Sequence, residues 1–312
     1  MISPHPDLSK FYVIAVVSNP VRFESRYELY QRFKDQIERT GVRMITVEIA
    51  FGDRKHEVTD PNTPWHLQLR TFDELWHKEN MLNLGLARLP GDWQYVAWMD
   101  ADIIFLNSNI INETVQQLQH YMVVQMFQNA IDMGPRNETL RVNDGFVWSY
   151  LSKKPYIKNY ANWHPGFAWA ARREALEATG GLIDIGILGA GDRHMATALL
   201  GKVDDSYGGR KLSPGYLKVI HQWQDRCEKY IKRDIGYVDG TCLHLWHGRK
   251  QQRGYVERWK ILTGNNYDPD TDLKKDPQGL WQLVVESPRQ IKMRDEIRAY
   301  FRSRNEDSRD LV

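Results

Sequence analysis

The run Tyr95-Val-Ala-Trp-Met-Asp-Ala-Asp-Ile-Ile-Phe105 is an apolar strand broken by two carboxylates, Asp100 and Asp102, one residue apart. On an extended chain, residues i and i+2 leave the same face, so both acids are expected together at the end of a buried strand. Like charges placed there repel, and they are costly to desolvate unless a cation lies beside them. A divalent metal held by hard oxygen ligands is the simplest such cation. A solvated turn at a strand end is the plain alternative. With a cation, the fold must present this strand end to a polar cleft.

The surrounding sequence alternates strand and helix. Residues 11–17 read as a buried strand, broken by Ser18-Asn-Pro-Val-Arg22. Leu29, Phe33 and Ile37 follow at helical spacing, and Gly41 closes that helix. Residues 42–49 form a second strand, and 79–89 a second helix ended by Pro90-Gly91. This order predicts an α/β fold with a mostly parallel central sheet flanked by helices. In such sheets ligands bind at the carboxyl ends of strands, where Asp100 and Asp102 lie. Beyond them come a helix over 112–120, a strand over 121–127, a helix over 172–179 and a polar loop over 204–214. Ser287-Pro288 fits a helix start. Met293, Ile297, Tyr300 and Phe301 make one apolar stripe there, with Arg294, Arg298, Arg302 and Arg304 around it. The chain thus divides into a domain over 1–262 and a helical C-terminal extension over 263–312, with residues 305–312 expected to fray.

Composition narrows the class. At 312 residues and 42% hydrophobic, the chain suits one large domain or two fused ones with a substantial core. A formal net charge of +2 carries no global nucleic-acid signature, so any basic patch must be local. Cys227 and Cys242 are the only cysteines, which excludes a disulfide framework or a thiolate zinc site. No signal peptide is read at the start, and no uncharged run approaches the ~18 residues of a membrane span. A cytoplasmic location is therefore expected, and the sequons at Asn112 and Asn137 are expected to mean nothing.

Three further clusters carry chemistry. In Trp163-His-Pro-Gly-Phe-Ala-Trp, Gly166 amid aromatics suggests a tight turn or close backbone approach. In Leu188-Gly-Ala-Gly-Asp192-Arg-His194, a carboxylate follows small residues just before a helix at 195–200. Asp192 there fits a helix N-cap, or a general base in a pocket kept open by glycines. His244 and His247 would share a face on a helix and oppose each other on a strand. An imidazole joining carboxylate oxygens suits Mn²⁺ or a similar ion. The run Arg249, Lys250, Arg253 suits a phosphate-rich ligand or a solvated loop.

Taken in order, these pieces resemble a metal-dependent glycosyltransferase of the GT-A fold, Rossmann-like with a mostly parallel sheet. Asp100-Ala-Asp102 looks like that family's D-x-D motif. Residues 165–192 look like the region of the β-1,4-galactosyltransferase and polypeptide N-acetylgalactosaminyltransferase type, where G-G-x-x-A-x-x-R/K precedes a G-G-E-D acid. Here Pro165 replaces the first glycine, and Asp192 is the one acid kept. Asn19-Pro-Val-Arg22 with Arg26 is similar to the P-x-R-N-R donor turn, and Lys78 to Gly85, including Asn83, to the K-x-x-L-N-x-G helix. His244-Leu-Trp-His247-Gly resembles the H-x-F-H-G motif of small virus- and bacterium-encoded members. The resemblance spans about residues 11 to 260.

It implies a nucleoside-diphosphate sugar donor, such as a UDP-sugar, with Mn²⁺ or alternatively Mg²⁺. Asp102 and one of His244 and His247, His247 preferred, would ligate the metal, with Asp100 on a metal water or the ribose. Asn19, Arg22, Arg26, Lys78 and Asn83 would serve the donor, and Arg249, Lys250 and Arg253 its diphosphate. Asp192 would be the base of an inverting transfer. The acceptor would be hydroxymethylated pyrimidine in DNA, favoured by the basic stretches 249–258 and 289–304 and by Trp148, Trp163 and Trp169, or else a cell-surface or capsule glycan. If the protein is virus-encoded, its location is the host cytoplasm. A nucleotidyltransferase or a non-catalytic sugar-nucleotide binder is the competing class. The former should carry a glycine-rich loop after its first strand, where this chain has Ser18-Asn-Pro-Val-Arg22.

Overall fold

The computed structural model describes residues 7–155 and 163–311. In chain order the strands are β1 (Phe11–Ser18), β2 (Arg43–Phe51), β3 (His66–Thr71), β4 (Tyr95–Met99), β5 (Ile103–Phe105), β6 (Val123–Gln125) and β7 (Asn129–Met133). Then follow β8 (Thr139–Gly145), β9 (Trp163–His164), β10 (Ala168–Arg172), β11 (Ile235–Tyr237), β12 (Thr241–His244), β13 (Leu273–Lys275) and β14 (Trp281–Leu283). The helices are α1 (Glu24–Arg39), α2 (Lys78–Leu86), α3 (Ile110–Gln117), α4 (Phe146–Leu151), α5 (Arg173–Thr179), α6 (Gly191–Leu199), α7 (Pro214–Arg226), α8 (Arg258–Gly264), α9 (Pro269–Asp272) and α10 (Pro288–Arg302).

The expected α/β fold is the one observed. Seven strands form a central sheet in the order β11-β6-β10-β4-β1-β2-β3, and β10 alone runs antiparallel to its neighbours. β1 is apolar on both faces because helices cover both faces. Tyr12 and Ile14 pack with Met81 and Leu82 of α2 on one side. Phe11, Val13 and Ala15 pack with Tyr30, Phe33 and Ile37 of α1 on the other. β3 escaped the sequence reading because it is an edge strand whose residues are mostly half-buried, so its pattern is weak.

A second sheet, β5-β12-β7-β8-β9, stands beside the first. The chain crosses from one sheet to the other between Met99 and Ile103, through Asp100 and Asp102. The polar stretch at 204–214 is partly ordered, with a 3-10 turn over Val203–Ser206 and α7 starting at Pro214 under a Ser213 cap.

Residues 263–311 contain the β13–β14 hairpin as well as α10, which opens on a Ser287–Gln290 capping box. Leu273, Leu283, Met293 and Ile297 belong to the same core as β1 and β2. Trp281 N donates to Asn80 Oδ1 at 3.0 Å, and Leu283 N to Asp73 Oδ2 at 2.8 Å. Over residues 305–311 the chain is tied down where fraying is expected. Glu306 is 2% exposed and pairs with half-buried Arg26 and buried Arg304, because guanidinium groups drawn out of water need a carboxylate. The basic stripe of α10 is largely neutralised by pairs such as Arg302–Glu74 and Arg294–Asp295. Cys227 and Cys242 are buried free thiols. Among the described residues no helix is long and apolar enough to cross a membrane.

Gly85 explains how closely α2 lies on the sheet. A Cβ there would stand 2.8 Å from Ile14 Cγ2 and 3.2 Å from Val47 Cγ2. Overpacking of this kind costs about 1–3 kcal/mol, against about 1 kcal/mol gained in helix propensity. Gly85→Ala is expected to lower Tm and the urea midpoint with an unchanged circular dichroism spectrum. Equal or higher stability would mean that α2 and the sheet can separate freely.

Candidate metal and catalytic site

Asp100, Ala101 and Asp102 form the turn by which the chain leaves β4 for β5. The two carboxylates therefore do not project together from one extended face, and the turn divides them between two partners. Asp100 receives Lys78 Nζ at 2.6 Å, and its amide donates to Phe167 O at 2.7 Å. Asp102 Oδ2 lies 2.9 Å from His247 Nε2, and its Oδ1 lies 3.9 Å from His244 Nε2.

β12 ends at His244, so neither helical nor strand spacing relates the two histidines. The chain turns there, and Leu245 N donates to Asp102 O at 2.8 Å. The turn brings the two Nε2 atoms to 3.3 Å. Parallel pairing of β12 with β7 sets His244 beside Asp132. His244 Nδ1 lies 2.9 Å from Asp132 Oδ1; the carboxylate accepts, so the lone pair of His244 is on Nε2. Asp132 Oδ2 accepts from Asn143 Nδ2 at 2.9 Å and Lys250 Nζ at 2.5 Å. Phe167 holds the ring from the side. Its backbone is left-handed, at φ 76°, and its ring stacks between His164 at 3.7 Å and His244 at 4.6 Å.

The ligand atoms of Asp102, His244 and His247 all lie within 4.8 Å of one another. Asp102 Oδ1 and His247 Nδ1 are buried without a hydrogen-bond partner. A buried, unmatched oxygen beside two imidazole nitrogens is costly unless a cation satisfies them. These three residues fit a divalent metal. Asp100 stands outside the group, its charge already met by Lys78. Burial works to raise the pKa of Asp102, but His247, His244 and Arg26 outweigh it and hold it well below the usual carboxylate range. Burial raises that of Asp100, and Lys78 opposes the rise only in part.

Beside this turn opens a cavity of about 480 Å³, walled in part by Trp76, Lys78, Asp192, Arg253, Tyr255 and Trp259. Asp192 lies in the first turn of α6, not at its cap, which is Ala190 at φ 84°. Lys78 Nζ is 3.2 Å from both Asp192 oxygens, so one ammonium joins Asp100 and Asp192. Burial lowers the pKa of Lys78, but Asp100 and Asp192 together lift it well above the ordinary value. Gly166 is where the close approach occurs. A Cβ there would stand 3.0 Å from Asp192 Oδ2.

The other expected residues divide. Asn19 borders the cavity, but both ends of its amide bind the backbone of Phe23, so it shapes the turn. Arg26 borders it too, locked on Glu306. Lys250 and Arg253 line it, and Arg253 is 5% exposed with its Nε unpartnered. Three residues do not line it. Arg22 pairs with Glu57 at the surface at 3.0 Å, because the chain turns left-handed there at φ 67°. Asn83 clamps the backbone of Leu182 at 2.8 and 3.0 Å, tying α2 to the segment after α5. Arg249 donates to Asp310 O at 2.8 Å. Of the aromatics, Trp163 lines the cavity, Trp169 is core, and Trp148 lies under Lys154 at 3.8 Å.

Asp132 and Glu306 were not foreseen. Asp132 had one usable signal. With Ala130 it occupies the buried face of an alternating strand, where an acid needs a partner. Glu306 had none, since its partners are 280 residues and two residues away in sequence.

No protein-family model matches the chain, and no curated protein matches it. Among solved structures, it is similar to the catalytic domain of Drosophila beta1,4galactosyltransferase 7 in complex with xylobiose. The identity is 13%, the match covers 91% of this chain and 98% of that one, and the TM-score is 0.41. A mutant of the same enzyme in complex with manganese, UDP-Gal and xylobiose matches at 11% identity, 91% and 98% coverage and a TM-score of 0.40. The 4-diphosphocytidyl-2C-methyl-D-erythritol synthase of Anaerococcus prevotii matches at 12% identity, 75% and 90% coverage and a TM-score of 0.35. At these values the likeness is one of chain path, and the chemistry of the site stands on its own geometry.

Titration of metal-stripped protein with Mn²⁺ by calorimetry tests the triad. Asp102→Ala is expected to abolish binding, and Asp132→Asn to weaken it about 10–100-fold by releasing His244. Undiminished affinity in Asp102→Ala would exclude this group as the metal site.

Proposed function

We propose that the protein is a glycosyltransferase that moves a sugar from a nucleoside-diphosphate donor to a hydroxyl acceptor. The observation that carries this reading is the convergence of Asp102, His244 and His247 beside a cavity that Asp192 also lines. The sheet order with its single reversed strand and the D-x-D turn at the end of β4 agree with the GT-A resemblance. Mn²⁺, or Mg²⁺ in its place, would be held by Asp102, His244 and His247. When bound, it supplies charge neutralisation for the departing diphosphate.

The rest falls to side chains. Lys78 Nζ, 3.2 Å from the Asp192 carboxylate, fixes the position of the base. The Asp192 carboxylate takes the proton of the acceptor hydroxyl. The acceptor oxygen bonds to the anomeric carbon from the face opposite the diphosphate, and the stereochemistry inverts. The bond between that carbon and the phosphate oxygen breaks, and its electron pair leaves on the nucleoside diphosphate. Arg253, whose buried Nε has no hydrogen-bond partner, and Lys250 line the cavity and would receive that charge.

The acceptor is read as hydroxymethylated pyrimidine in DNA, with a cell-surface or capsule glycan as the alternative. Support for DNA comes from Arg193 and Arg258, which line the cavity near Asp192. The helix α10 lends little, since much of its arginine stripe is paired. The proposed location is cytoplasmic.

Incubation with Mn²⁺ and a panel of sugar nucleotides, with DNA and glycan acceptors read by mass, tests the proposal. Expected are slow release of nucleoside diphosphate from one donor, loss of that release with EDTA, and a mass gain on one acceptor. Asp192→Asn should lose about 10²–10⁴-fold in turnover while still binding donor. Release of pyrophosphate would favour a nucleotidyltransferase instead, and donor binding without turnover a non-catalytic binder.

A further inference from the structure

The stretch after β12 that carries His247 has no regular secondary structure up to Arg249. What holds it is the segment that follows α10. Trp246 Nε1 donates to Ser308 O at 2.6 Å, and Arg249 Nε to Asp310 O at 2.8 Å. Gly248, left-handed at φ 81°, lies flat against this segment. A Cβ there would stand 2.6 Å from Asn305 O and 2.9 Å from Glu306 Cα. On its other side the segment caps α1, where the Asp307 carboxylate accepts from Glu24 N at 3.0 Å and Ser25 N at 2.8 Å. Between these ties sits Glu306. Its carboxylate accepts from Arg26 Nε and from Arg26 Nη2 at 2.9 Å, and pairs with Arg304 Nε at 2.6 Å. Glu306 Oε2 is also 3.6 Å from His247 Nδ1.

We propose that Glu306 is a positioning residue of the metal site and that residues 305–311 are a strap without which the site is not assembled. The inference rests on the reading of Asp102, His244 and His247 as a metal site. An imidazole offers a lone pair at Nε2 only when its proton is on Nδ1. His247 Nδ1 has no hydrogen-bond partner, and the carboxylate beside it belongs to Glu306. Glu306 thus stands behind His247, at 3.6 Å, as Asp132 stands behind His244, at 2.9 Å, and with a metal bound both Nε2 lone pairs would be turned to it. Two guanidinium groups fix the Glu306 carboxylate in place, so its placement is rigid. His247, on an irregular stretch, has no strand register to do this for it.

The test is Mn²⁺ titration of the metal-stripped 312-residue chain, read by calorimetry and by the electron paramagnetic resonance signal of free Mn²⁺, well below Tm. Glu306→Gln, which keeps the size and removes the charge, is expected to raise the Kd about 10–100-fold. Deletion of 305–312 should raise it at least as far. A purely structural role predicts a lower Tm with an unchanged Kd, and that result overturns the proposal. If Glu306→Gln fails to fold because Arg26 and Arg304 have lost their carboxylate, Glu306→Gln with Arg304→Met restores the charge balance and is judged by the same Kd. Absence of Mn²⁺ binding by the unaltered protein would overturn the metal reading itself. Equal binding by the unaltered and Glu306→Gln proteins would overturn this inference alone.

Discussion

Asp100, Asp102, Asp132, Asp192 and Glu306 lie in one region of the protein, and how each of them is neutralised organises what surrounds it. Asp100 and Asp192 share Lys78, Asp132 has Lys250, and Glu306 has Arg26 and Arg304. Asp102 differs. Among the described residues, no lysine or arginine lies within ion-pair distance of it, and its neighbours are two imidazoles. A carboxylate with one oxygen buried and unpartnered, facing two imidazoles, is a place made for a further cation. Lys78, Lys250, Arg26 and Arg304 are spent on the other four acids, which keeps those acids in place.

The two sheets meet at this point for the same reason. The β4–β5 turn must deliver Asp102 to β12 while leaving Asp100 with α2. Lys78, in the first turn of α2, then reaches across to Asp192 on α6. One ammonium thus connects the strand end, α2 and the first turn of α6.

Much of the fold was legible. Residues 11–17 and 95–99 are apolar because helices cover both faces of the sheet, and that burial shows in the sequence. The helix carrying Leu29, Phe33 and Ile37 shows by its period, and Gly41 by its position. The edge strand β3 and the hairpin over 273–283 did not show, because half-buried or very short strands have little pattern. Of the site, Asp102, His244, His247, Lys78, Asp192, Lys250 and Arg253 were named and lie on or beside the cavity. Arg22, Asn83 and Arg249 were named on motif position and serve local contacts instead. A motif reports which residue types occur in order, and the direction of a side chain depends on the turn that carries it.

The sequence by itself determined the alternation of strand and helix, the two-sided burial of the sheet, and an acid pair at a strand end with histidines and basic residues to follow. Those properties are local, since each depends on periodicity or on composition within a few residues. The tertiary structure decided how the acids divide, that both histidines converge on Asp102, and that a segment expected to fray holds one of them. Such outcomes depend on pairing across long separations, where the cost of burying a charge selects the partner. No short stretch of sequence contains that information, because the charge and its partner lie far apart along the chain.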